Sequence, residues 1–313
     1  MARARSYPGG RRAQDLAQDL GWRLEALAYD AVTLLARAFP IDAVSDFGAA
    51  LLRRLGPLTS AHQVVLRNLR IAFPDLSPEA IDALADAQWV QTGRTFAEFP
   101  IIDRIVAAGD RIEIVNGERL AEIARTAEPV VFVSGHLSNW EIMPAVIAHS
   151  GVVCHMTYRA ANNPYFDRRI RDNRFRYGVR LFAPKGGDGA REVLEALGRG
   201  ESVALMNDQK FNGGVAAPFF GKLAHTAPGP SRLALRFGAV LQPMSVQRLG
   251  KARFRVIVHP PIKPISSGDR SADIARSVDQ INAFMEERIA ERPAEWFWTH
   301  KRWPNETYSR RRR

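Results

Sequence analysis

Sulfur is scarce in this sequence: Cys154 is the one cysteine in 313 residues. A single thiol excludes an intrachain disulfide framework and a cysteine-based zinc site, and it fits a reducing compartment. Acidic residues are also in short supply, with 33 Asp and Glu against 44 Lys and Arg, a formal net charge of +11. Most of the positive charge is arginine, whose planar fork suits phosphate and carboxylate. The expected partner is therefore anionic: nucleic acid, an anionic membrane or an acidic protein. Long apolar runs are missing too. A spanning helix needs about 20 mostly apolar residues, and the best stretch, residues 24–55, is broken by Glu25, Asp30, Arg37, Pro40, Asp42 and Asp46. It predicts helices that lie on a surface without crossing a bilayer. No apolar core followed by a small-residue cleavage site marks a signal peptide. His149, His155, His225 and His259 lack ligand spacing, so no metal site is expected.

What is present is a globular chain, 46% hydrophobic and 25% charged. Residues 1–20, with Pro8-Gly9-Gly10, read as a basic tail, and residues 304–313, ending in Arg310 to Arg313, as a second one. Residues 21–108 are helical in pattern. Leu24, Leu27, Ala28, Ala31, Leu34 and Leu35 recur at helical spacing up to Pro40. Asp42 or Ser45 is placed to cap the next helix, which stops at Gly56-Pro57, and another follows over 60–72. Ser77-Pro78-Glu79 then reads as N-cap, first-turn proline and first-turn acid of a helix running past Trp89 to Pro100. Over 109–303 the pattern changes to short β-rich runs (111–115, 130–133, 152–156, 202–206, 240–246 and 254–258) alternating with helices near 163–177, 190–197, 230–237 and 272–290. That alternation predicts an α/β fold with a mostly parallel central sheet flanked by helices.

Chemistry in such sheets sits beyond the carboxyl ends of the strands. The apolar run 130–133 leads into Ser134-Gly135-His136, where Gly135 permits a sharp turn. Ser138 and Glu141 fit a capping box opening the next helix. Five steps within one helix would leave His136 and Glu141 about 140° apart. They meet only if His136 precedes the helix and Glu141 lies in its first turn. A carboxylate on one imidazole nitrogen would then fix the tautomer and leave the other nitrogen as a base. On spacing alone, a cap with a polar turn residue explains the same letters.

The segment Gly135-His136-Leu137-Ser138-Asn139-Trp140-Glu141 resembles the H-x4-D/E motif of the lysophospholipid acyltransferase superfamily. Its Asn139-Trp140-Glu141 version is similar to the late lauroyl and myristoyl acyltransferases of lipid A synthesis. Further blocks match that branch in order: Asn68-Leu69-Arg70-Ile71-Ala72-Phe73-Pro74, Tyr158-Arg159-Ala160-Ala161-Asn162-Asn163-Pro164, Asp208-Gln209 with Ala217-Pro218-Phe219-Phe220-Gly221, Thr226-Ala227-Pro228-Gly229-Pro230 with Phe237-Gly238-Ala239, and the closing Glu295-Trp296-Phe297-Trp298-Thr299-His300-Lys301-Arg302-Trp303. The resemblance spans residues 60 to 303. It implies direct transfer of a fatty acyl group from an acyl carrier protein or coenzyme A thioester to a glycolipid hydroxyl, foremost of a lipid A precursor, with a phosphatidylinositol mannoside as the alternative acceptor. The thioester is a co-substrate, so no cofactor is implied. His136 would be the general base and Glu141 its orienting partner. Arg159, Asn162, Asp208 and Gln209 would bind substrate: Arg159 through the acceptor phosphate or the transition-state oxyanion, unless it is only a salt-bridged loop arginine, and Asp208 through a sugar hydroxyl or by holding Arg159.

The family commonly has a clearer apolar N-terminal anchor than residues 24–55. Attachment to the cytoplasmic face of a bacterial inner membrane is therefore expected to be peripheral or monotopic. Arg168, Arg169, Arg171, Arg174 and Arg176, interleaved with Phe166, Phe175 and Tyr177, form a basic helix without any nucleic-acid-binding signature. Lipid phosphate or an acidic carrier protein suits it equally, and no nucleic acid partner is expected. Trp296, Trp298 and Trp303 fit either an interfacial belt or core packing.

Overall fold

The computed structural model describes residues 13–181 and 188–308. Residues 1–12 and 309–313, parts of the segments 1–20 and 304–313 expected as basic tails, lie outside the described residues, as do residues 182–187. Five helices come first: α1 (Ala13–Ala38), α2 (Ile41–Leu55), α3 (Ala61–Ala72), α4 (Pro78–Glu98) and α5 (Ile102–Ala107). Helix α1 thus begins inside the segment expected as a tail. Proline separates it from α2, because Pro40 disfavours helical geometry in the residue before it. Ser77 caps α4 as expected, its side chain accepting from the Ala80 amide at 3.2 Å. Asp42 and Ser45 do not cap α2; Asp42 pairs with Arg111 at 2.7 Å and buried Ser45 donates to Glu98 at 2.6 Å. Helices α2 and α4 touch backbone to backbone, since a Cβ on Gly48 would lie 2.3 Å from the Gly93 carbonyl oxygen.

The sheet domain follows with β1 (Ile112–Val115), α6 (Glu118–Thr126), β2 (Val131–Ser134), α7 (Ile142–His149), β3 (Cys154–Met156), α8 (Pro164–Arg176), β4 (Arg180–Leu181), α9 (Asp188–Gly198) and β5 (Ser202–Met206). It continues through β6 (Lys210–Phe219), β7 (Lys222–Thr226), α10 (Gly229–Phe237), β8 (Leu241–Gly250), β9 (Arg253–Val258) and α11 (Arg270–Glu291). The seven-stranded sheet has the order β1-β9-β8-β2-β5-β3-β4, parallel throughout except for the β8–β9 hairpin. The α/β fold with a mostly parallel sheet is therefore as the alternation of patterns predicts. Strands β6 and β7 form a separate antiparallel hairpin that the sequence pattern did not reveal. Gly213, Gly214 and Pro218 break the alternation that would have announced β6.

Two features of this fold place the site. Strands β2 and β5 are parallel neighbours in the middle of the sheet, with Ser134 in register with Met206. The chains leaving them emerge side by side, and residues 136 and 208 each stand two positions beyond the paired ends. The second feature is a strap after α11, carrying Trp296, Trp298 and Trp303, all essentially fully buried. These tryptophans pack the core and do not form an interfacial belt. Asn68 fixes the strap by donating to the carbonyls of Trp298 (2.7 Å) and His300 (2.8 Å), so the first and last of the family-like blocks meet. The segment expected as a second tail begins with a 3-10 turn, Asn305–Tyr308, whose Tyr308 hydroxyl donates to Asn68 at 2.6 Å.

Candidate active site

The partner of His136 is Asp208. Its Oδ1 lies 2.8 Å from the imidazole Nδ1, and its Oδ2 accepts from the His136 backbone amide at 2.8 Å and from Trp296 Nε1 at 2.8 Å. The Asp208 side chain is fully buried. Burial alone would raise its pKa, but attraction and hydrogen bonds from His136, with His300 adding to them, hold it far below the usual carboxylate range. An ionised carboxylate on Nδ1 keeps the proton on that nitrogen and turns the Nε2 lone pair outward. His300, its ring centre 6.5 Å from that of His136, is pushed down to about 4 by burial and is neutral near pH 7.

Gly135 makes the pairing sterically possible. A Cβ there would lie 2.9 Å from Asp208 Cγ and 2.2 Å from Met285 Cε. The glycine is required here for close approach.

Glu141, expected on the imidazole, turns the other way. Helix α7 starts only at Ile142, so Glu141 precedes it and Ser138 is no cap. Buried Glu141 accepts from Arg174 Nε at 2.9 Å and from the Tyr177 hydroxyl at 2.7 Å, with a second bond from Arg174 Nη2. Burial pushes its carboxyl up, yet the attraction and hydrogen bonds of Arg174 and the Tyr177 hydroxyl outweigh this and leave it below the usual value. Ser138 adopts a left-handed backbone (φ +47°). Its amide donates to the Glu295 carbonyl at 2.7 Å, and its own carbonyl accepts from Thr95 Oγ1 at 3.0 Å. The strap also pairs here, the Phe297 amide donating to the His136 carbonyl at 3.0 Å.

Behind the loop lies a buried polar network that sequence reasoning missed. Glu98 accepts from Asn139 Nδ2 (2.8 Å), from Ser45 (2.6 Å) and from both terminal nitrogens of Arg248 (2.6 and 3.0 Å). The signal was a polar stripe on α4, Gln88, Thr92, Thr95 and Glu98, at helical spacing and all buried.

A cavity of about 320 Å³ opens at His136. Its polar mouth is lined by Trp140, Glu141, Arg159, Arg174 and Gln209, and its depth by Phe132, Met143, Ile147, Met156, Val179 and Met244. Gln209 Nε2 lies 3.5 Å from His136 Nε2, and Arg159 is exposed at the rim. Asp208 is fully buried, bonded to His136 and Trp296, and does not line this cavity; no bond joins it to Arg159 among the described residues. Asn162 is exposed and outside the lining. Its neighbour Asn163 instead caps α8, accepting from the Tyr165 amide at 2.9 Å and donating to the Trp22 carbonyl at 2.8 Å. Of the basic helix, Arg169 is bound to Asp30 and Arg174 to Glu141, so these two serve the fold's internal pairing. Cys154 is buried and its thiol pushed upward by that burial, which leaves it inert as a nucleophile.

The sequence profile of bacterial lipid A biosynthesis acyltransferases matches residues 22–305. The chain belongs to that family. It is an acyltransferase. It is also similar to the phosphatidylinositol mannoside acyltransferase of Mycolicibacterium smegmatis, 25% identical over 305 residues that make up 95% of this chain and 93% of the relative. The corresponding enzyme of Mycobacterium tuberculosis is 25% identical over 285 residues, 88% of this chain and 87% of its own. Among solved structures, the 1-acyl-sn-glycerophosphate acyltransferase of Thermotoga maritima aligns with 78% of this chain and 99% of its own at 13% identity and a TM-score of 0.36.

In this acyltransferase, His136 combines a shielded, carboxylate-bound nitrogen with an open one facing a cavity. That is the arrangement a general base requires: one nitrogen fixes the ring and the other accepts a proton. Helix α1 adds a second surface. Leu16, Leu20, Leu24, Leu27, Leu34 and Leu35 are all more than half exposed. Among the described residues no helix is long and apolar enough to cross a membrane.

Proposed function

We propose that the acyltransferase moves a fatty acyl chain from an acyl carrier protein or coenzyme A thioester to a sugar hydroxyl of a phosphorylated glycolipid at a bilayer surface. The observation that carries this is the His136–Asp208 dyad at the mouth of a cavity whose depth is apolar. The apolar depth suits the chain, and the polar mouth brings the thioester carbonyl to the base. The acceptor oxygen attacks that carbonyl carbon while its proton passes to His136 Nε2. Asp208 stabilises the imidazolium that forms. Collapse of the tetrahedral intermediate breaks the carbon–sulfur bond, and the leaving thiolate takes the proton from His136. No acyl-enzyme is needed.

A lipid A precursor and a phosphatidylinositol mannoside share the required acceptor chemistry, a sugar hydroxyl close to a phosphate. The family description favours the first and the two full-length relatives the second. Arg159, exposed at the rim, is the residue we assign to the acceptor phosphate. Glu141, with Arg174 and Tyr177, forms the charged wall beside the base and keeps Arg174 at the mouth. The exposed leucines of α1 and the net charge of +11 support peripheral attachment to an anionic leaflet, such as the cytoplasmic face of a bacterial inner membrane.

Mass spectrometry of total lipids from cells with and without the protein tests the reading. A glycolipid heavier by one acyl unit is expected with the wild type and absent with His136→Ala, whose transfer rate should fall about 10²- to 10⁴-fold. Full activity in folded His136→Ala would remove the dyad from the mechanism.

A further inference from the structure

Asp208 and Gln209 are consecutive, yet they address opposite nitrogens of one imidazole. Asp208 is buried and meets Nδ1 at 2.8 Å; Gln209 is exposed and brings its side-chain nitrogen to 3.5 Å from Nε2. With the Nδ1 proton directed at Asp208, Nε2 offers a lone pair. A donor belongs there, so the amide nitrogen of Gln209 and not its carbonyl faces the ring.

An acceptor hydroxyl that hydrogen-bonds Nε2 must take the place this amide now occupies. An amide shifted only far enough to admit that hydroxyl would lie beside the attacking oxygen, and so beside the carbonyl oxygen on which charge develops. Of the cations near the mouth, Arg174 is tied to Glu141 and Lys210 donates to Asn305 at 2.8 Å, while Arg159 at the rim is the one assigned above to the acceptor phosphate. We infer that Gln209 is a catalytic residue whose side-chain N–H binds the oxyanion of the tetrahedral intermediate. The inference rests on the acyl-transfer reading above. In the step concerned, the new carbon–oxygen bond forms, the carbonyl π pair moves onto oxygen and the hydroxyl proton goes to His136. In the next step that pair returns, and the thiolate leaves with the same proton. Gln209 exchanges no proton in either step.

The test uses the full-length protein with palmitoyl-coenzyme A and palmitoyl-loaded acyl carrier protein as donors and a bacterial total-lipid extract as acceptor. The variants are Gln209→Ala and Gln209→Glu, both at an exposed position. Loss of one oxyanion donor lowers kcat about 10²- to 10³-fold. We expect that loss in Gln209→Ala, with KM for donor and acceptor changed by about twofold or less. Gln209→Glu should be as slow or slower, because a carboxylate repels the oxyanion. If wild type consumes neither thioester, the acyl-transfer reading fails and this inference with it. If wild type is active, unchanged or faster turnover in Gln209→Ala overturns the inference alone, since the amide then merely covers the base. A raised acceptor KM at unchanged kcat also overturns it, by placing Gln209 on the acceptor in the ground state.

Discussion

Helices α1 and α11 are both long and both striped with apolar residues, and they treat those stripes in opposite ways. In α11, Val278, Ile281, Met285 and Ile289 are at most 1% exposed, and Met285 reaches the His136 loop beside Gly135. In α1, Leu20, Leu27 and Leu34 are 59%, 60% and 72% exposed. The face of α1 that meets the body buries only small or aromatic apolar groups, Ala26, Ala36 and Tyr29 against Phe166, and is otherwise polar. Arg37 pairs with Asp103 at 2.8 Å, Asp30 accepts both a 2.6 Å and a second bond from Arg169, and the Tyr165 hydroxyl donates to Asp19 at 2.8 Å. Periodicity reports that a helix has an apolar face but is silent on the phase that covers it. For α11 the cover is the sheet domain. For α1, nothing among the described residues covers the leucine stripe.

The largest effect should separate the two helices by stability. Ile281→Ala on α11 leaves a cavity in the core and is expected to cost about 2–5 kcal/mol, read as a lowered midpoint of thermal unfolding. The chemically similar Leu27→Ala on α1 should stay within about 0.5 kcal/mol. Comparable losses at both positions would mean that the α1 stripe is covered within the protein, and the contrast would collapse.

A second experiment asks what covers α1. Replacing Leu20, Leu27 and Leu34 together by serine removes apolar area suited to the acyl boundary, and each fully buried leucine contributes roughly 1.5–3 kcal/mol. Cosedimentation with anionic phosphatidylglycerol vesicles should weaken at least about tenfold, equivalent to 1.4 kcal/mol, while the unfolding midpoint holds. Undiminished vesicle binding would transfer the role to another surface.

What could be read from the sequence follows the same division. The strand before His136 was legible because a continuous apolar run is a local signal, as were α4 from Ser77-Pro78 and α11 from its stripe. The partner of His136 was not. Asp208 reaches it only because β2 and β5 are neighbours in register, and strand order is set by packing among segments about seventy residues apart, which no local spacing encodes. Glu141 held the right sequence distance for a pair, but the helix begins one residue too late to aim it at the ring. The Glu98–Arg248 support behind Asn139 joins residues 150 positions apart. Its only local trace was the polar stripe on α4, which looks like any solvated face until the helix is found to be buried.

The smallest effect concerns how α1 is held. Asp30 lies below its ordinary pKa because of its hydrogen bonds with Arg169. Asp103 is pushed up by burial, but Arg37 outweighs this and leaves it lowered as well. For a carboxyl depressed in the folded state, the stabilisation is complete above the unfolded value, about 3.9 for aspartate, and is lost as pH falls through the folded value. Apolar contacts such as those of Ile281 do not titrate. Acidification below about pH 4 should therefore loosen α1 before α11. Partly exposed pairs contribute about 1 kcal/mol or less each, so the difference will be modest. Hydrogen exchange resolved by segment is the suitable measurement: protection of α1 should decline from pH 5 to pH 3 while that of α11 holds once intrinsic exchange rates are divided out. Simultaneous loss in both helices would show that the polar seam does not hold α1 independently. Preserved protection in α1 would show that its few apolar contacts, such as the edge-on Tyr29–Phe166 pair at 5.0 Å, suffice without the ion pairs.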